Sequence, residues 1–151
     1  MTASRLISEK FVARIFDKRY EEADAILREQ REAVSGGEIP RLVGVEQALR
    51  NQVEQLGAGP TAQRGALAGS YMLASRLRDW EYWPEAEAIY REVIGLSLAM
   101  KEVFFLDDAR LSRAVCLKNL GRINEYEHAK AEIPAGTTIL IDGVNWRVED
   151  L

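Results

Sequence analysis

The sequence predicts a mainly α-helical protein closed by a C-terminal β-hairpin, on three observations. Apolar residues recur at helical spacing along most of the chain, as at Leu42, Val45, Leu49, Val53 and Leu56. Glycine, proline and short polar links interrupt these stripes at helix-length intervals. Only the stretch 137–148 changes period, to β-branched and aromatic runs on either side of Asp142-Gly143.

The first stripe, residues 4–16, carries Leu6, Ile7, Phe11, Val12, Ile15 and Phe16, a wide apolar face for one helix. After the link Asp17-Lys18-Arg19, a second helix is expected from about Tyr20 to Val34. Tyr20, Ala23, Leu27 and Val34 would point inward, and Glu21, Glu22, Asp24, Glu29 and Glu32 would form a solvated face. Ser35-Gly36-Gly37 ends it and Pro40 blocks continuation. A third helix spans 42–56 and stops at Gly57-Ala58-Gly59-Pro60. Thr61 is the expected cap of a fourth, which reaches Asp79 through Leu67, Tyr71, Leu73, Ala74 and Leu77.

The aromatic turn Trp80-Glu81-Tyr82-Trp83 follows. Pro84 suits the first position of a fifth helix, where its missing N–H would be unpaired anyway; Ala86, Ile89, Tyr90, Val93 and Ile94 carry that helix to about Met100. Asp107 or Asp108 is the expected cap of a sixth, running through Leu111, Ala114, Val115 and Leu117 to Leu120, with Gly121 its left-handed stop. A seventh, from about Asn124 to Glu132, ends ahead of Pro134. Asp-Gly between β-branched runs predicts a two-residue type I′ hairpin, pairing Ile141 with Val144, Ile139 with Trp146 and Thr137 with Val148. Those six residues would share one face, buried across the end of the helical stack, because two strands alone are marginal.

Composition bounds the function. The chain has 151 residues, 47% hydrophobic and 29% charged, which fits one globular domain. The net charge of −4 gives no electrostatic reason to expect nucleic acid or an anionic membrane as partner. No apolar run approaches the ~18 residues of a membrane span, and the first ten residues do not read as a signal peptide, so a cytoplasmic location is expected. A single Cys116 permits no intrachain disulfide, and its neighbours Ala114, Val115 and Leu117 place it on a buried helix face.

Three helix-to-helix junctions look alike: Asp17-Lys18-Arg19-Tyr20-Glu21-Glu22-Ala23, then Glu81-Tyr82-Trp83-Pro84-Glu85-Ala86, then Gly121-Arg122-Ile123-Asn124-Glu125-Tyr126. Each has a large apolar residue, a polar residue or proline, a Glu, and then a residue at the helix–helix contact. This resembles the tetratricopeptide repeat, whose second helix opens on a Tyr-x-Glu-Ala start. The middle copy matches best, with Leu73, Ala74 and Leu77 on the first helix and Ala86, Tyr90 and Val93 on the second. The equivalent positions Ala23, Ala86 and Tyr126 lie further apart than the family's period of about 34 residues, so the copies are irregular. The resemblance implies antiparallel helix pairs whose first helices line a groove. It places Tyr71, Ser75 and Arg78, and Leu111, Val115 and Lys118, along that groove.

Catalytic chemistry has little to work with. His128 stands beside Glu127 and Lys130 on the last helix and reads as a solvated helix residue. One histidine and one cysteine cannot supply a four-ligand zinc site, and no metal or cofactor is expected. Gly57-Ala58-Gly59-Pro60 has no preceding strand and no phosphate-binding lysine. The residues suited to binding are aromatic and cationic: Trp80 and Tyr82 in the turn, and Arg110 and Arg113 one helical turn apart. The expectation is a non-catalytic protein-binding protein, in its most concrete version a bacterial immunity protein covering a toxin. An adaptor or chaperone, an enzyme of unfamiliar type, and a self-associating subunit joined through the hairpin's Leu140 edge or the aromatic turn are the alternatives.

Overall fold

Periodic apolar stripes become helices throughout the described part of the computed structural model, which comprises residues 3–29, 51, 54, 57, 59–102, 105–141 and 143–151. The elements are α1 (Ala3–Phe16), α2 (Tyr20–Arg28), α3 (Pro60–Asp79), α4 (Trp83–Met100), α5 (Leu106–Asn119), α6 (Ile123–Ala131), β1 (Thr138–Ile141) and β2 (Val144–Arg147), then a 3-10 turn, Val148–Asp150. The expected helix over 42–56 lies outside the described residues, apart from Asn51 and Glu54, which are both helical. The chain forms two compact units, Met1–Leu73 and Ala74–Leu151, divided within α3.

In the first unit α1 buries Phe11, Val12 and Ile15, and α2, packed against it, buries Ala23 and Leu27. Tyr20, expected inward, is instead 43% exposed. It opens the helix at the junction, a turn before the inward positions Ala23 and Leu27. Further along, α3 comes so close to α1 that a Cβ on Gly65 would lie 2.5 Å from Phe16 Cε1.

The three look-alike junctions share one backbone conformation. Lys18, Glu81 and Gly121 sit in the left-handed region, at φ +61°, +67° and +74°. The amide of the next residue then reaches back across the turn: Arg19 N–H donates to the Arg14 carbonyl (2.8 Å), Tyr82 to Leu77 (2.9 Å) and Arg122 to Leu117 (3.0 Å). This six-to-one bond satisfies a carbonyl that the helix end would otherwise leave open. Arg19, Tyr82 and Arg122 take nearly the same dihedrals, with φ −92°, −87° and −84° and ψ 65°, 69° and 69°. Their carbonyls accept from Ala23, Ala86 and Tyr126, the contact residues of the sequence pattern. None of the three is capped by a side chain.

Two expected caps are displaced. Phe105 is the N-cap of α5, which puts Asp107 and Asp108 in the first turn, where carboxylates favour the positive end of the helix dipole. Thr61 lies inside α3, and the Gly59 carbonyl takes the first amide there, from Gln63.

The hairpin forms in the expected register: Ile141 opposite Val144, Ile139 opposite Trp146, and the Val148 amide on the Thr137 carbonyl at 3.0 Å. Its apolar face is only partly covered. Ile139 and Val148 are buried with Leu111, Ala114, Val115, Leu117, Tyr126, Ala129 and Ile133, and Trp83 and Leu151 pack against that cluster. Val144 and Trp146 remain 53% and 39% exposed, because the helical layer meets β1 through α5 and leaves β2 exposed along its whole length.

Candidate interaction surface

Four of the residues expected to line a groove are interior. The Ser75 and Tyr90 hydroxyls share a hydrogen bond of 2.9 Å and both residues are buried. Arg78, 2% exposed, donates from Nη1 to Ser112 Oγ (2.8 Å) and from Nη2 to Asp79 Oδ1 (2.9 Å). Leu111 and Val115 are core residues. The groove positions at the end of α3 and on α5 are therefore filled from within the unit that holds them, and a buried guanidinium is tolerated only because its donors are met.

The other expected positions reach solvent. Trp80 and Tyr82 are half-buried in the turn before α4, and Tyr71 is half-buried on α3. Arg110 is half-buried and pairs with Asp107 across one helical turn (3.5 Å). Lys118 is exposed at the end of α5, with Nζ 5.9 Å from the Tyr126 ring centre. Lys130 approaches the same ring at 5.8 Å, so Tyr126 is flanked by two cations.

A charged centre missed in the sequence joins α4, α5 and the start of α6. Glu87, 1% exposed, accepts from Arg91 Nη2 (2.6 Å) and Arg113 Nε (3.1 Å), and Arg122 Nη1 lies 3.6 Å away. Burial alone would raise its pKa, but the Arg91 and Arg113 guanidiniums outweigh it and hold the carboxyl below its ordinary range. Arg122 also binds Glu125 through two nitrogens, at 3.1 and 2.5 Å. The local signal was Arg91 four residues after Glu87; the partners Arg113 and Arg122 come from later helices and leave no periodic trace.

Beside this centre a surface cavity of about 270 Å³ is lined by Arg113, Asn124, Glu125, His128, Ala129 and Glu132. It offers hydrogen-bonding groups of both signs. Cys116 is buried, and desolvation pushes its thiol up to about 12, so it packs as a small core residue and stays protonated. Among the described residues no group of three or more His, Cys, Asp or Glu side chains could hold a metal ion, and no helix is long and apolar enough to cross a membrane.

No family model matches the chain, and no curated protein or solved structure matches it either.

Proposed function

We propose that the chain is a non-catalytic protein-interaction module of paired helices resembling tetratricopeptide repeats, and in its most concrete form a bacterial immunity or inhibitor protein that covers a toxin in the cytoplasm. The observation that carries this reading is the threefold recurrence of one helix-to-helix junction. Repeated helix–turn–helix units serve chiefly as binding surfaces. The mild acidity suits a basic partner. Trp80, Tyr82 and Arg110 are of the residue types enriched at interface hot spots, and Lys118 adds an exposed cation. Adaptors and secretion chaperones use the same kind of scaffold and form the second reading.

Co-expression with the product of the adjacent gene tests the proposal. The expected result is a purified complex and protection from that product's toxicity, both lost on combining Trp80→Ala with Lys118→Glu while the melting temperature holds. Absence of a complex with either neighbouring product contradicts the immunity reading. Any substrate turnover abolished by His128→Ala contradicts the non-catalytic one.

A further inference from the structure

The hairpin ends in a free edge whose chemistry is self-complementary. In an antiparallel pair, opposed residues alternate between hydrogen-bonded and non-hydrogen-bonded positions. The Val148 amide on the Thr137 carbonyl marks 137–148 as a hydrogen-bonded pair, so 139–146 and 141–144 are of that kind too. The pairs 138–147 and 140–145 are then non-hydrogen-bonded. The backbone groups of Asn145 and Arg147 consequently point outward from β2, towards the side on which, among the described residues, no strand pairs. All four β2 residues are exposed, Val144 and Trp146 among them.

We propose that this edge pairs with the β2 edge of a second copy, antiparallel about a two-fold axis at Asn145. Three constraints select that register. The outward-facing groups of β2 belong to odd-numbered residues, so odd must oppose odd and the axis falls on a residue, not between two. An axis at Arg147 sets two like charges directly opposite one another. An axis at Trp146 sets Val144 against the second copy's Val148, which is already buried in its own core. The axis at Asn145 instead sets Val144 opposite Trp146 twice, an aromatic–β-branched pair on each side, and puts Arg147 opposite Gly143. It turns two marginal two-stranded ribbons into one four-stranded sheet and closes, leaving no further copy to add through this edge. This surface is independent of the toxin-binding reading.

A hydrogen-bonded antiparallel pair holds its Cα atoms about 5.5 Å apart, within the range a disulfide spans. Asn145→Cys is therefore expected to cross-link on mild oxidation of the full chain into a species of twice 17.0 kDa, whereas Thr138→Cys, on the far strand, is expected to stay uncross-linked. Light scattering of the unmodified chain is expected to shift from 17.0 kDa towards twice that as concentration rises. Asn145→Pro removes an amide that takes no part in the hairpin's own ladder, and Trp146→Lys removes the apolar pair; each is expected to abolish the shift with helical circular dichroism unchanged. A single-chain mass at every concentration up to the solubility limit, equal cross-linking from Thr138→Cys, or undiminished association of both variants overturns the proposal. Pairing of this edge with an extended segment of another protein, with no self-association, overturns it as well.

Discussion

Glu87 shows how one side chain holds three helices. Its carboxylate is almost wholly buried and meets arginines from α4, from α5 and from the residue that caps α6. Because its folded pKa lies below the ordinary 4.5, the folded chain takes up this proton less readily than the unfolded chain. The stabilisation is therefore complete above about pH 4.5 and is lost as pH falls through the folded value. Glu87→Gln is expected to cost roughly 2–3 kcal/mol at pH 7, since it removes the buried charge that Arg91 and Arg113 meet and leaves Arg113 the longer pairing with Glu125 at 3.9 Å. It is also expected to flatten the decline of melting temperature below pH 4.5. Thermal melts of both proteins from pH 3 to 7 check this, and parallel pH profiles would contradict it. Two glycines make a second residue-scale pair. Nothing lies within 4 Å of a Cβ on Gly95 in α4, so Gly95→Ala is expected to stabilise by about 0.5–1 kcal/mol. The same change at Gly65 meets the Phe16 ring and is expected to destabilise by about 1–3 kcal/mol in denaturant titrations.

Elements and their joints were the most legible part of the sequence. The junctions could be aligned by eye because each needs the same order of events: a helix end, a left-handed residue, a large apolar residue, a Glu and a contact residue. The hairpin register followed from Asp-Gly and a period of two. Legibility failed where a partner is distant in sequence. The resemblance to the tetratricopeptide repeat puts Ser75 and Arg78 along a groove, yet their partners Tyr90 and Ser112 stand 15 and 34 residues away and draw them inside. Val144 and Trp146 failed in the other direction, since alternation predicts a shared face and not how far the helical layer reaches over it. The joints make a prediction of their own. Lys18 and Glu81 occupy left-handed positions that cost a side-chain-bearing residue about 1 kcal/mol, so Lys18→Gly and Glu81→Gly are each expected to stabilise by up to that amount. Gly121→Ala is expected to destabilise by about 1 kcal/mol, through the backbone alone, because nothing crowds its Cβ. Chemical denaturation of the three variants checks both signs.

At the scale of the whole molecule, two accessible surfaces among the described residues are proposed to bind. One is the aromatic and cationic set Trp80, Tyr82, Arg110 and Lys118, for which a foreign protein partner is proposed. The other is the β2 edge, for which a second copy is proposed. The candidate site was therefore half legible: its exposed members were found, while the charged centre around Glu87 needed three helices to be brought together before it could be seen. One helix-to-helix joint is used three times, and solution NMR tests this most directly. Strong intraresidue HN–Hα contacts, diagnostic of positive φ in a residue with a single Hα, are expected at Lys18 and Glu81, together with slowed hydrogen exchange at the amides of Arg19, Tyr82 and Arg122. The pattern at one junction and its absence at the other two would contradict it.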